Sequence, residues 1–334
     1  MYAGSHGHSS RRLVDTGEWH HAAPAASDVP MTPQVSILVP NYNHAAYLPQ
    51  RIDSLLAQTC QDFELILLDD CSTDASVEVL ERYRSHPRVT QVVANPSNSG
   101  STFLQWDKGV ALARGDYIWI AESDDWSEPT QLQVMLDGIK AEPDCVLSYC
   151  QTYFIGEGGR INWQSRHGQL SEVIDGAQWV RDYMAPTSLY NASMALWRRD
   201  CYPRIPRDFM EYRFCGDWLF WAELARLGKV HVSGRLLNYY RQHETTVSAG
   251  VFRSGHSLVE ELQALAHMYQ RGLIGDREYA RVFKLKYREF AAVRDRLDPD
   301  ARAEVANLFR QPSSPRTPVL AIRAGAWWKR MRRR

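Results

Sequence analysis

The 334-residue chain lacks most of the features that would place it in a specialised class. It has no net charge: 39 Lys and Arg balance 39 Asp and Glu, so no global field draws it to nucleic acid. No apolar run approaches the roughly 20 residues that span a bilayer. Arg11 and Arg12 are not followed by the apolar stretch of a secretory leader, so a cytoplasmic location is expected. Six cysteines form neither a CxxC pair nor a regular spacing, which suits reduced thiols. Without a leader, Asn191-Ala192-Ser193 reads as an accidental glycosylation match. Phosphate loops are missing as well. There is no GxxxxGK[ST], no GxGxxG after a strand, and no Gly-rich opening loop of a sugar nucleotidylyltransferase. A P-loop kinase and a dinucleotide dehydrogenase are therefore unsupported.

What is present is an alternation of strand and helix signals. Residues 1–32, rich in Gly, Ser, His, Ala and Pro, predict a disordered arm, with His6, His8, His20 and His21 solvated rather than metal-bound. From residue 35 the runs VSILVP, FELILLD, VTQVVA, YIWIA and CVLSYC read as strands. Between them, apolar residues at helical spacing predict helices over 46–59, from the Ser72-Thr73-Asp74 capping run through Tyr83, over 102–114, and after Pro129. The strands are continuous apolar runs, the pattern of parallel strands covered on both faces. This predicts an α/β fold: a mostly parallel, Rossmann-like sheet flanked by helices. Residues 33–150 form its first half and 151–250 its second. The second half holds a hairpin at Gly158-Gly159, a short helix over 173–183, a helix over 216–228 capped by Asp217, and a strand over 236–240. Residues 251–312 form a helical C-terminal region, and 313–334 a basic, Trp-containing tail.

In such sheets ligands sit beyond the carboxyl ends of the strands. Pro40-Asn41-Tyr42, Asp69-Asp70 and Glu122-Ser123-Asp124-Asp125 all fall at that edge, so three polar clusters converge there. Crowded carboxylates suit a hard divalent cation, which takes one or two of them and leaves its other positions to water and substrate phosphates. Spacing alone leaves two readings open: a Mg²⁺ or Mn²⁺ site for a nucleotide diphosphate, or a solvated loop in which an aspartate caps the next helix. Asp69-Asp70 is equally ambiguous between turn chemistry and contact with a base or ribose.

Five segments in register carry a resemblance: VSILVPNYNHAAYLPQRIDSLLAQT, FELILLDDCSTDASVEVL, NPSNSG, ARGDYIWIAESDDW, and GDWLFWAELARLGKV with LLNYYRQHETTVS. Together they resemble a family-2 glycosyltransferase of the GT-A fold, over residues 35–248, especially bacterial enzymes of lipopolysaccharide, O-antigen or exopolysaccharide synthesis. The resemblance implies that Pro40, Asn41 and Tyr42 line the nucleotide pocket and that Asp69 and Asp70 contact base and ribose. It implies that Glu122, Asp124 and Asp125 are the DxD region, with Asp124 and Asp125 on the metal. It implies that Asp217 is the general base, and that Arg241 and His243 belong to an element near the diphosphate, His243 also on the metal. Two departures stand out. Glu122 replaces the usual first Asp, and Trp106-Asp107-Lys108-Gly109 replaces Arg-Asn-x-Gly, which removes expected donor contacts from that helix.

The implied reaction is inverting transfer from a UDP-, dTDP- or GDP-sugar, with Mg²⁺ or Mn²⁺, to a glycan or lipid-linked saccharide. Tyr190, Asn191 and Ser193 lie where an acceptor could be faced. The alternatives are a sugar-nucleotide hydrolase or nucleotidylyltransferase, and a degenerate glycan-binding module. Nucleic acid is not an expected partner. The tail Trp327-Trp328-Lys329-Arg330-Met331-Arg332-Arg333-Arg334 joins interfacial aromatics to cations, so peripheral docking on the inner membrane face is expected of it, against a frayed terminus.

Overall fold

Every residue of the first two strands, β1 (Val35–Asn41) and β2 (Phe63–Asp69), is buried, as their unbroken apolar character requires. They belong to a computed structural model that describes residues 32–242 and 256–317, together with 319 and 322. The expected N-terminal arm, apart from Thr32, lies outside the described residues. So do His243 and most of the basic tail, including all of 323–334.

Three βα units open the chain. β1 leads to α1 (Leu48–Leu56), β2 to α2 (Ser76–Tyr83), and β3 (Val89–Ala94) to α3 (Thr102–Leu112). β4 (Tyr117–Ile120), the two-residue β5 (Trp126–Ser127), α4 (Gln131–Lys140) and β6 (Cys145–Ile155) follow. β7 (Ile161–Gln164) folds back on β6 through positive-φ Gly158 and Gly159, the expected hairpin. The remaining elements are β8 (Ser171–Asp175), α5 (Gly176–Trp179), β9 (Ala195–Arg198), α6 (Gly216–Ala225) and β10 (Lys229–Arg241), then helices α7 (His256–Gln270), α8 (Asp276–Val293) and α9 (Pro299–Leu308). The sheet order is β3-β2-β1-β4-β9-β6-β10-β5, with β7 on β6 and β8 on β10. β1 pairs in parallel with β2 and β4, and β6 with β10; β9 runs antiparallel between β4 and β6.

Successive residues of β1 enter opposite layers, the two-residue period of a strand. Val35, Ile37 and Val39 join a cluster with Leu48 and Ile52 of α1 and Leu132 of α4. Leu38 joins the other, with Phe103 of α3, Phe220 of α6, and Leu262, Phe283 and Phe309 of the C-terminal helices. Those last helices thus share one core with the sheet. No described helix is long and apolar enough to cross a membrane.

Local details differ from the sequence expectation. Residues 171–175 form a strand because they pair antiparallel with β10; only 176–179 are α-helical, followed by a π-turn. The strand expected at 236–240 is the end of a 13-residue β10 with irregular register. Asp217 is not the N-cap of α6. Cys215 holds that position, and Asp217 lies inside the first turn. Likewise α2 starts at Ser76 after Ala75, although Asp74 still accepts the Ser76 N–H at 3.0 Å.

Candidate active site

The polar clusters do meet at the carboxyl edge of the parallel strands. β1 and β2 are in register so that Asn41 lies beside Asp69. Asn41 Nδ2 donates to Asp69 Oδ2 at 2.7 Å and to Ser72 Oγ at 3.2 Å. Asp69 also accepts from the Ser72 N–H and hydroxyl, at 2.8 and 2.6 Å, which closes the turn after β2. Asp70 reaches the other way. It accepts from Ser99 N–H and Oγ and from Gln105 Nε2, at 2.8–3.1 Å, and from Asn95 Nδ2 at 2.6 Å. The acidic pair therefore organises the loops of the pocket, binding 95–99 to the head of α3. Pro40 is buried in β1, whereas Tyr42 is 47% exposed at the rim. Asn43 follows at φ 56°, and its side chain accepts the Thr73 N–H at 2.7 Å.

The second cluster follows β4. His44 Nδ1 lies 2.8 Å from Ser123 Oγ, joining the loop after β1 to the acidic loop. Asp125 is 1% exposed and accepts from Ser193 Oγ at 2.7 Å, from the Arg241 N–H at 3.0 Å and from Asn191 Nδ2. Ser193 is a junction. Its hydroxyl accepts the Glu122 N–H at 3.0 Å, and its carbonyl accepts from Trp119 Nε1 and Gln131 Nε2, both at 2.8 Å. Burial, then the neighbouring Asp124 and Asp125, push the Glu122 carboxyl up to about 8. Burial and Asp124 also raise Asp125. Beneath them lies Arg51, wholly buried, its Nη1 2.8 Å from Ser127 Oγ and its guanidinium 5.6 Å from the Trp119 ring centre. Its Nε and Nη2 have no hydrogen-bond partner. Burial lowers its pKa to about 10, opposed by the fields of Asp125, Glu122 and Asp124. Arg51 is thus a fixed cation under a group of acids. Arg241 clamps the same loop from above: Nε donates to the Asp124 carbonyl at 2.8 Å and Nη2 to Gln50 at 2.7 Å. Its guanidinium stacks between Tyr47 and Trp126, at 4.6 and 4.7 Å.

The third part surrounds Asp217. Gly216, which opens α6, packs so closely that a Cβ there would lie 2.2 Å from the Phe209 carbonyl oxygen. That approach seats the next residue, Asp217, on the wall of a cavity of about 300 Å³, together with Ser188, Tyr190, Cys215 and Lys286. Burial pushes Asp217 up to about 7, against the lowering effect of a 3.2 Å hydrogen bond from Ser188. Residues 188–193 then connect the two acidic groups within six positions. Ser188 touches Asp217, Tyr190 lines the cavity, and Asn191 and Ser193 hold Asp125. Asn191 and Ser193 are buried and committed to Asp125, so of the three residues expected to face an acceptor only Tyr190, 40% exposed, is open to the cavity.

The described residues fit a divalent ion as an open site. No group of three or more His, Cys, Asp or Glu forms a closed cage among them. Asp125 already accepts three hydrogen bonds, which leaves its carboxylate about one free lone pair. Asp124, 9% exposed in the turn between β4 and β5, is the other carboxylate that could serve as a ligand. An ion held by one or two carboxylates and completed by a substrate diphosphate is the arrangement hard Mg²⁺-like cations favour.

Sequence reasoning missed Arg51, Ser188, Gln105 and Glu260. Arg51 had a signal: it stands on the apolar stripe of α1 formed by Leu48, Ile52 and Leu55, where a cation needs a reason. Glu260, on α7, accepts the N–H groups of Arg213, Phe214 and Cys215 at 2.8–2.9 Å, just before α6. Only the tertiary fold brings it there. The departure at Trp106-Asp107-Lys108 also resolves. Trp106 packs on Phe220 and Trp221, Asp107 pairs with Arg207 at 2.6 Å, and Lys108 donates to Asn95 beside Asp70.

Three comparisons bear on this site. Over 150 residues the chain is 34% identical to the chondroitin synthase of Escherichia coli, covering 42% of this chain and 21% of that protein. Its fold matches S. aureus TarS 1–349 in complex with UDP-GlcNAc, with a TM-score of 0.64 over 83% of this chain and 79% of that one, at 18% identity. It also matches the mannosyltransferase PcManGT of Pyrobaculum calidifontis in complex with GDP-Man and Mn²⁺, with a TM-score of 0.51 over 91% and 83%, at 16% identity. The chain spans less than two thirds of the length of the first curated relatives it matches. Residues 36–202, which carry both the Asn41–Asp69 corner and the acidic loop, match the profile of glycosyl transferase family 2. The chain belongs to that family, with a GT-A fold.

Proposed function

We propose that the protein is a metal-dependent, inverting glycosyltransferase that moves a sugar from a nucleotide-diphosphate sugar to an acceptor hydroxyl in bacterial surface polysaccharide or lipopolysaccharide synthesis. The observation that carries this reading is the six-residue segment 188–193. It fastens Asp217, on the wall of a cavity, to Asp125 in the acidic loop, so a base and a diphosphate site share one support. The nucleotide sugars bound by TarS and PcManGT support a UDP-, dTDP- or GDP-sugar donor, and the Mn²⁺ of PcManGT supports a divalent ion, Mg²⁺ or Mn²⁺. The name of the E. coli relative supports a polysaccharide product.

In this reading Pro40, Asn41 and Tyr42 frame the nucleotide, Asp69 and Asp70 set the loops that hold base and ribose, and Glu122 meets the ribose. Asp124 holds the metal, Asp125 contributes its remaining lone pair, and His243 is assigned to the same ion on sequence alone. When bound, the metal supplies positive charge to the departing diphosphate. Arg241 keeps the acidic loop closed beneath it. Asp217 takes the proton from the acceptor hydroxyl as that oxygen bonds to the anomeric carbon. The bond from that carbon to the diphosphate oxygen breaks, and its electron pair leaves with the nucleotide. One displacement inverts the centre, and no enzyme nucleophile is needed. Asp217→Asn tests the assignment: transfer should fall about 10²–10⁴-fold while nucleotide binding survives, measured by turnover and by titration with UDP and GDP. Turnover within threefold of the parent protein removes Asp217 from this role.

A further inference from the structure

Helix α8 presents a second face that the transfer reaction does not use. Its buried side carries Tyr279, Val282, Phe283 and Phe290 into the core. Its exposed side carries Arg277, Arg281, Lys284 and Arg288, at intervals of four, three and four residues, which is a single stripe along a helix. These four cations line a cleft of about 580 Å³ whose apolar part is Pro186, Ala280, Val282, Leu285 and Ile322. Among the described residues no acid lines it. The acids of α8 are turned to other work: Asp276 accepts from Tyr269 and Ser314 and pairs with Arg316, Glu278 caps the Gly275 N–H, and Glu289 pairs with Lys286. Among the described residues Arg277, Lys284 and Arg288 have no ion-pair or hydrogen-bond partner, and Arg281 donates only to the Arg181 carbonyl. Leu285, 39% exposed, stands in the middle of the stripe.

We propose that this face of α8 docks the protein on an anionic lipid surface. Four unneutralised cations beside one exposed leucine match a leaflet of anionic headgroups, because the charges meet phosphates while Leu285 enters the interfacial zone. A soluble phosphate would satisfy the charges but not the leucine. The location gives the docking a purpose. Pro186 lines this cleft, and Thr187 and Ser188, next in sequence, line the cavity of Asp217. A membrane against α8 therefore lies beside the mouth through which an acceptor would enter. The stripe belongs to a different stretch of sequence from the cationic run at 329–334, and the proposal stands whether or not Asp217 is the base.

The test is co-sedimentation of the full-length protein with phosphatidylcholine vesicles, with or without about one third phosphatidylglycerol. Binding should require phosphatidylglycerol and should collapse as the Debye length shortens from about 10 Å at 0.1 M salt to about 3 Å at 1 M. The variant Arg277→Gln/Lys284→Gln/Arg288→Gln leaves the Arg281 bond intact and should bind about 100-fold more weakly, roughly fivefold per charge. Its circular dichroism and melting temperature should match the parent. A second full-length variant, with Lys329, Arg330, Arg332, Arg333 and Arg334 all changed to glutamine, should keep a salt-sensitive component that the α8 variant lacks. The proposal is overturned if the parent ignores phosphatidylglycerol, or if the α8 variant binds like the parent. It is also overturned if inorganic pyrophosphate, at the ionic strength of a chloride control, strips the protein from vesicles, which would make the cleft a soluble-anion site.

Discussion

At the scale of the residue, two buried ionisable groups of opposite sign stand out. Asp217 is raised to about 7 by burial. A base of that pKa is half ionised near neutral pH, so kcat/KM should rise with pH through about 7 and level off above it. The same shift has a cost in stability. A carboxyl whose pKa is higher in the folded than in the unfolded chain favours the fold below its unfolded value, and that contribution is lost as pH rises through about 7. Asp217→Asn should therefore melt at a higher temperature than the parent at pH 8, by several degrees. The gap should narrow toward pH 5, as scanning calorimetry would show; an equal gap at both values would contradict the assigned shift. Arg51 is the counterpart. Replacing it with leucine removes the field that holds the Glu122 and Asp125 carboxyls down, so both should titrate still higher. Because Mn²⁺ with UDP or GDP would restore positive charge to that loop, the melting temperature of Arg51→Leu should rise more on their addition than that of the parent. Equal shifts would separate Arg51 from the acidic group.

At the scale of the element, the site depends on how a few loops are tied rather than on the helices and strands themselves. Glu260 of α7 receives three N–H groups from 213–215 and so fixes the entry to α6, one turn from Asp217. Glu260→Ala should cost about 1–3 kcal/mol in stability by leaving those donors unpaired. It should also lower kcat more than it raises KM for the donor; a stability loss with unchanged kcat would confine Glu260 to the fold. These ties explain what could be read from sequence. β1, β2 and the acidic loop after β4 are local patterns, apolar runs followed by polar residues, and they were legible in place. The ligation of Asp70 by Gln105, of Asp217 by Ser188 and of Asp125 by Ser193 joins residues 29–68 positions apart, and no periodicity encodes it. The strand at 171–175 was misread for the same reason: its conformation is imposed by its pairing with β10. Asp217 was expected at the N-cap of α6 and lies two positions past it, because an acid followed by an apolar helical run looks the same at either position.

At the scale of the whole molecule, sheet and C-terminal helices share one apolar cluster, in which Leu38 of β1 and Phe309 after α9 both take part. Unfolding should accordingly be a single transition when followed by far-ultraviolet circular dichroism and by tryptophan fluorescence. Two separated midpoints would show that the helices of 256–308 melt on their own. One topological fact has a different kind of consequence. β9 runs against its neighbours β4 and β6, so the chain enters it, through 191–194, at the edge where β4 ends. Residues 156–190 therefore leave β6, add β7 and β8 to the sheet, and return to β9 carrying Ser188, the hydrogen-bond partner of Asp217. If the transfer reaction proposed above holds, exchange of 156–190 between related chains should change which acceptor is used and leave donor binding unaltered, so that one scaffold could diversify its products without rebuilding its donor site.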